Sequence, residues 1–392
     1  MNDDGSRRVT EENMGHVLRN GKLKEDALSR SVNRIMDKYR TDNNEADPGN
    51  GVRLVLSSDP ITLRTGLAGM LSVYSVVNDL AAKGAEPQTL STVILLPPGS
   101  TEEELRVIEE QIGAAAKAER IIVTGGHTEV TTAVMRPVII ASGTGIIRRS
   151  GADSDVISGA DSDVISDADS DVISGADSDV VSGAAGKRSF AGWDIVMSKY
   201  AGIEGTAMLA AEMRAKLADK FSEFFVKEAG GFTSMLSVRP EAVTTQSIIP
   251  EAVMMNASEG GIYAALWKLA DKCGAGITVD LKKIPVRQET IEISNYFDFD
   301  PYMMESAGSL LMAVPEGRGE ELVQALADGS LGAGCNLNNN GKNGQNSGKT
   351  EFRIPAAVIG KMTAGNDKVI INGDDRRFLT APEPDSLIKI LS

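Results

Sequence analysis

The chain has 392 residues, 42% hydrophobic and only 4% aromatic, with a formal net charge of −15. That length suits two domains, each with a core of Val, Ile, Leu, Met and Ala, while the acidic balance excludes nucleic acid as a primary partner, since phosphate binding needs clustered Lys and Arg. No run nears the ~20 consecutive apolar residues that cross a bilayer, the first residues show no signal peptide, and Cys273 and Cys335 make neither a disulfide framework nor a zinc site. A cytoplasmic protein is expected.

In chain order, Val52–Ser57 reads as a strand, and residues 66–83 as a largely apolar helix stopped by Gly84. A strand at Thr92–Leu96 is followed by a helix from Ser100, with Glu103 completing a capping box. Leu105, Ile108, Ile112 and Ala116 give that helix an apolar stripe. Strands are expected at Ile121–Thr124 and Val138–Ala141. The segment from Ser150 to Val181 repeats an octapeptide, SGADSDVI, and holds nine Asp with no Lys or Arg. It carries too little apolar surface to offset its ordering entropy, and its period of eight does not match the nine of calcium-binding β-rolls. A flexible acidic linker is the expectation.

Beyond it, strands are expected at Trp193–Met197, Gly276–Asp280, Ser309–Val314 and Ala356–Ile359, with helices over 204–221, 260–272 and 320–327. Residues 332–349, rich in Asn and Gly, read as a surface loop. The mixture predicts α+β layers on either side of the repeat. The expected domains are 1–149 and 190–392, joined by 150–189.

Asp59 closes an apolar strand in Ser57-Ser-Asp-Pro60, as active-site acids and plain solvent-facing acids both do. Asn78 and Asp79 interrupt an apolar helix, so they sit on a narrow solvent face or, if buried, have a partner or a metal. Gly125-Gly126-His127-Thr128-Glu129 is an ordinary turn after a strand or a place where backbone amides approach phosphate. Asp59, Asp79 and Glu129 together suit a hard cation such as Mg2+, which takes oxygen ligands. The glycines around Ile203-Glu204-Gly205 and Glu259-Gly260-Gly261 precede helices, as phosphate-binding turns and plain caps both do.

The wording and order of these segments resemble the AIR-synthase superfamily, closest to its hydrogenase-maturation branch, HypE. The resemblance runs through GKL at Gly21, SSDPIT at Ser57, VNDLAAKGAEP at Val77 and VTGGHTEV at Val123. It continues in WDIVMSKYAGIEGTA at Trp193, NASEGGIYAALWKLADKCGAGI at Asn256 and DPYMMESAGSLLMAV at Asp300. It implies a two-domain PurM-like fold whose N-terminal domain dimerises and binds ATP. It also implies Mg2+ on Asp59, Asp79 and Glu129, and phosphates near Asn78, Gly125, Gly126, Thr128 and Gly205. Asp79, Glu259 and His127 are the implied catalytic residues. ATP would phosphorylate, or activate by phosphorylation, an oxygen of a small carboxamide, carboxylate or phosphate ester. The alternative is a nucleotide-binding partner protein without turnover, acting with a maturation partner. His127 stands where many members have an acid, and Met255-Asn256 where a His-Asp pair is common. The chain ends Ile390-Leu391-Ser392 and not on the cysteine of the HypE branch, so nitrile formation on a terminal thiol is not expected.

Overall fold

A computed structural model describes residues 52–148, 188–329, 353–380 and 387–391. The octapeptide repeat, the Asn-rich stretch 332–349 and all residues before Val52 lie outside the described residues.

Strands β1 (Val52–Ile61), β2 (Glu86–Leu96), β3 (Ile122–Val130) and β4 (Val138–Arg148) form one sheet in the order β1-β4-β2-β3. Strand β4 runs antiparallel to β1 and β2, and β3 pairs parallel with β2 at the edge. Alternation along the strands sends Leu90, Ile94, Ile139 and Ala141 to one face, beneath α1 (Ala68–Ala82) and α2 (Glu102–Glu119). The opposite face is open, with Leu56 57% exposed.

Helix α1 is apolar around most of its circumference because both halves of the chain cover it. Val73, Val76 and Leu80 join the core under the first sheet, while Leu71, Ala81 and Ala82 join cores built by the second half. The capping box of α2 lies one residue later than expected, since Thr101 has the extended backbone of an N-cap. Its hydroxyl accepts from Glu104 N at 3.2 Å, and the Glu104 carboxylate accepts from Thr101 N at 2.8 Å.

The second half builds a seven-stranded sheet from β5 (Asp194–Ser198), β6 (Val253–Asn256), β7 (Gly276–Asp280), β8 (Leu310–Val314), β9 (Ala356–Thr363), β10 (Lys368–Asn372) and β11 (Asp375–Phe378). Their order is β11-β10-β7-β9-β5-β8-β6. The helices are α3 (Ile203–Glu212), α4 (Arg214–Ala218), α5 (Glu223–Gly230), α6 (Arg239–Ile248), α7 (Gly261–Lys272), α8 (Gln288–Phe297), α9 (Gly319–Ala327) and α10 (Ile388–Leu391). The single helix expected over 204–221 is instead α3 and α4, broken where Met213 leaves the helical region at φ −105° and ψ 22°. Strands β5 and β8 are buried along their whole length. One face packs Ile195 and Met197 on Ile262, Leu266 and Leu269 of α7; the other packs Val196 and Met312 on α6 and α9. The architecture is α+β in two halves that meet along α1. Among the described residues, no helix is long and apolar enough to cross a membrane.

Candidate functional site

Asp79 lies on α1 at the seam between the halves. Its carboxylate accepts from the Ser57 hydroxyl of β1 at 3.3 Å and from Asn256 Nδ2 of β6 at 3.1 Å. The carboxylate only accepts, so the Asn256 NH2 group must face it and the amide oxygen must point away. That oxygen is buried and has no hydrogen-bond partner among the described residues. An orphaned buried acceptor costs ~1–3 kcal/mol, and such groups mark places where a ligand, ion or water completes the set.

Asn78, the adjacent residue, is wholly buried and points elsewhere. Its Nδ2 donates to Leu236 O at 2.7 Å, and its Oδ1 accepts from Val238 N at 2.9 Å. Both ends of the amide are committed to the second half's backbone.

Asp59 lies within β1, two residues from Ser57 and so on the same sheet face, the one covered by α1. Gly125 and Gly126 do not form a turn. They lie inside β3, which continues to Val130, and the register with β2 skips Thr124 in a bulge. A Cβ on Gly126 would sit 2.2 Å from Thr92 O, so the glycine is needed for close strand approach. Gly126 pairs with Thr92 and Thr128 with Ile94, both buried, which places them on the covered face. His127 and Glu129 pair with Val93 and Leu95 and therefore lie on the open face. They contact each other there, Nε2 to Oε2 at 3.2 Å.

Asp59, Asp79 and Glu129 thus do not converge as the metal triad expected from sequence. Among the described residues, no group of three or more His, Cys, Asp or Glu side chains lies close enough to hold a metal ion. What does gather is an oxygen set at the seam: the Asp79 carboxylate, the Ser57 hydroxyl and the free Asn256 carbonyl. This fits a hard cation that keeps waters and shares phosphate oxygens, as Mg2+ does, rather than a cation caged by protein alone.

In the second half, Gly205 packs under Met304, where a Cβ would come within 2.4 Å of that side chain. Its amide donates to Glu305 O at 3.0 Å, and the Gly202 amide to Ser306 Oγ at 2.8 Å. The Gly202 and Gly205 amides at the start of α3 are therefore engaged within the protein. Glu259 sits in the turn before α7, half-buried, next to Gly260 and Gly261 at φ 77° and 66°. A Cβ on Gly261 would meet Tyr302 O at 2.5 Å, so this turn is pressed against the loop before β8.

Ser57 and Asn256 stand inside motifs quoted from sequence, but nothing in the sequence alone singles them out as partners of Asp79. A second polar cluster has no sequence signal. Lys199 and Glu241 form an ion pair with side chains 10% and 0% exposed. The Lys199 ammonium also donates to Ser237 O at 2.6 Å and Gly308 O at 3.0 Å. Burial pushes the nearby Glu119 carboxyl up, opposed by the Ser237 hydroxyl, Arg239 and Lys199, and reinforced by Glu241.

The chain matches two family models, the AIR synthase related protein N-terminal domain over residues 43–147 and the AIR synthase related protein C-terminal domain over residues 192–333. A Methanocaldococcus jannaschii protein named for hydrogenase expression/formation is 25% identical over 284 residues, which is 71% of each chain. Carbamoyl dehydratase HypE of Rhodobacter capsulatus is 23% identical over 297 residues, 74% of this chain and 75% of that one. The crystal structure of hydrogenase maturation protein HypE in complex with ATP superposes with a TM-score of 0.59 at 20% identity, covering 95% of this chain and 98% of the other. At that identity the likeness establishes the fold. With both family models matched in order, and with the two-sheet architecture that their solved relatives share, the chain belongs to the AIR synthase related family.

Proposed function

We propose that this chain is an ATP- and Mg2+-dependent enzyme, a cytoplasmic homodimer that phosphorylates, or activates by phosphorylation, an oxygen of a small carboxamide, carboxylate or phosphate ester. The observation that carries this reading is the Asp79 carboxylate, bonded from both halves of the chain beside the orphaned Asn256 oxygen. Asp79 and Asp59 would hold the cation. Gly126 and Thr128, on the same face of the sheet as Asp59, would approach the phosphates. Mg2+ when bound supplies Lewis-acid neutralisation of phosphate charge. Asn78 serves by fixing α1, Gly125 by carrying the strand past the bulge, and Glu259 by its turn at the mouth of the second half. The HypE relatives support ATP as the nucleotide, and the open apolar face of the first sheet supports pairing of two copies. In such a dimer His127 and Glu129 would act at the shared face.

A second reading, a nucleotide-binding partner in metallocentre maturation without turnover, is favoured by the position of His127 and Glu129 on the face away from Asp79. ATP consumption in the presence of candidate substrates separates the two.

The primary test is thermal unfolding with ATP, with and without Mg2+, on the parent and on Asp79→Asn. A ligand that binds only the native state stabilises it by ~2.7 kcal/mol at a hundredfold excess over Kd. The expected result is a Mg2+-dependent rise in the parent that Asp79→Asn loses without unfolding. An equal rise in both removes Asp79 from the site, and no rise at millimolar ATP overturns the reading.

A further inference from the structure

The two halves leave a cavity of about 280 Å3 between them. Its walls come from the end of α1, the start of β2 and the end of β4 on one side, and from α6 on the other. Ala81, which lines it, is two residues and roughly 200° around α1 from Asp79, so the helix separates the cavity from the candidate cation site.

Three polar side chains in these walls have hydrogen-bonding capacity that the protein leaves unused. The Arg239 side chain is only 15% exposed and carries five N–H donors, yet among the described residues its guanidinium bonds one acceptor, the carbonyl of Glu119. The Glu86 carboxylate lies 3.9 Å from Nη2, beyond hydrogen-bond reach. Arg148, at the end of β4, makes no side-chain hydrogen bond or ion pair among the described residues. The Gln246 amide makes none there either; it rests over Gly84, where a Cβ would come within 2.1 Å of its Nε2. Two guanidiniums against the one carboxylate of Glu86 leave a positive charge with no counterpart in the walls. The rest of the lining is mostly apolar, with Ile146, Ile147 and Val243 among it. The volume falls just under the ~300–1,000 Å3 of pockets for drug-sized ligands, which suits a molecule smaller than a nucleotide.

We propose that this cavity binds a small monocarboxylic acid with an apolar body, its carboxylate held by Arg239 and Arg148 and its body against Ile146, Ile147 and Val243. The guanidinium fork matches a carboxylate in shape, and Gln246 adds a neutral donor. One unmatched positive charge suits a monoanion, whereas the second charge of a phosphate ester would meet Glu86. Because the walls belong to both halves, the bound acid ties α6 to the end of the helix that carries Asp79. It is an effector there and not the substrate, since α1 stands between it and the cation site.

The test is titration calorimetry of the full chain at pH 7.5 without nucleotide, using hexanoate and benzoate and their neutral counterparts hexanamide and benzamide. At least one acid is expected to bind, one per chain, with its amide ~10-fold weaker or worse. Arg239→Gln should weaken the acid ~10–100-fold, the worth of bonds to a charged group. Arg148→Gln, at the exposed rim, should cost less, and it serves if Arg239→Gln, which also loses the Glu119 carbonyl, does not fold. Val243→Trp fills the cavity, keeps every charge and should abolish binding. Asp79→Asn should bind the acid as the parent does, so failure of the ATP reading leaves this result standing. The proposal is overturned if neither acid binds at millimolar concentration, or if acid and amide bind equally. Affinity that survives both arginine variants or Val243→Trp, or that Asp79→Asn removes, overturns it as well.

Discussion

Replacing Asn78 with alanine separates a structural amide from a ligand-binding one. The side chain is wholly buried and makes two bonds across the seam, 2.7 Å to Leu236 O and 2.9 Å from Val238 N. Alanine has nothing to offer either group, and leaving a buried backbone donor or acceptor unpaired costs ~1–3 kcal/mol. The expected loss is therefore roughly 2–6 kcal/mol, a large share of the ~5–15 kcal/mol typical of a folded domain. Urea unfolding at pH 7.5 reads this as a lower midpoint with an unchanged slope. Asn78→Asp sharpens the test: it still accepts from Val238 N but sets a buried carboxylate against the Leu236 carbonyl. That variant should be weakest at neutral pH and recover on acidification, when its carboxyl can donate as the amide does. A loss below ~1 kcal/mol in Asn78→Ala would refute the reasoning, because the seam would then be satisfied without the amide.

Three further outcomes are expected. Gly261→Ala forces an L-residue to φ 66° with its Cβ 2.5 Å from Tyr302 O, and the left-handed region alone costs ~1–2 kcal/mol; a melting temperature equal to the parent's would disprove the close packing of that turn. Cys273 is buried, which pushes its thiol up to about 12, so peptide mapping after thiol reagent at pH 8 should find it unmodified in native protein and modified in urea. Leu56→Asp places a charge on the open face of the first sheet, and light scattering should then give a monomer where the parent is a dimer. A parent already monomeric would remove the homodimer from the proposal.

The sequence makes the helix carrying Asp79 legible, because an apolar run with a single Asn-Asp interruption has few ways to bury itself. It also implies that a buried Asp79 needs partners, and the structure supplies Ser57 and Asn256. Their identity is not legible: Asn256 comes from a strand that periodicity does not reveal, and a contact between distant segments leaves no local pattern. Gly125-Gly126 suits a turn as well as a strand, and a turn there ends the strand at Thr124 and stops the period of two short of Glu129, whereas β3 runs on to Val130. Extended through the bulge, the same rule sends Glu129 to the open face and Thr128 to the covered one. The Lys199–Glu241 pair escapes sequence reading because charged residues are rarely fully buried, and only the fold shows these two closing on each other.

Asn78 and Asp79 are neighbours in sequence but ~100° apart around α1, since the helix turns once in 3.6 residues. They cannot face the same surface, and they do not: one faces Leu236 and Val238, the other Ser57 and Asn256. A single dipeptide therefore fixes the helix against the second half and presents a carboxylate at the same seam. Changes in the second half that never touch a ligand will still reach Asp79, through the segment Asn78 holds. The two roles separate in measurement. Asn78→Ala should lower stability with or without ligand, whereas Asp79→Asn should leave the unliganded protein nearly as stable and remove its response to Mg2+ and ATP. If both variants lost stability equally and neither lost the response, the seam would be structural alone, and the site would have to lie on the open face with His127 and Glu129.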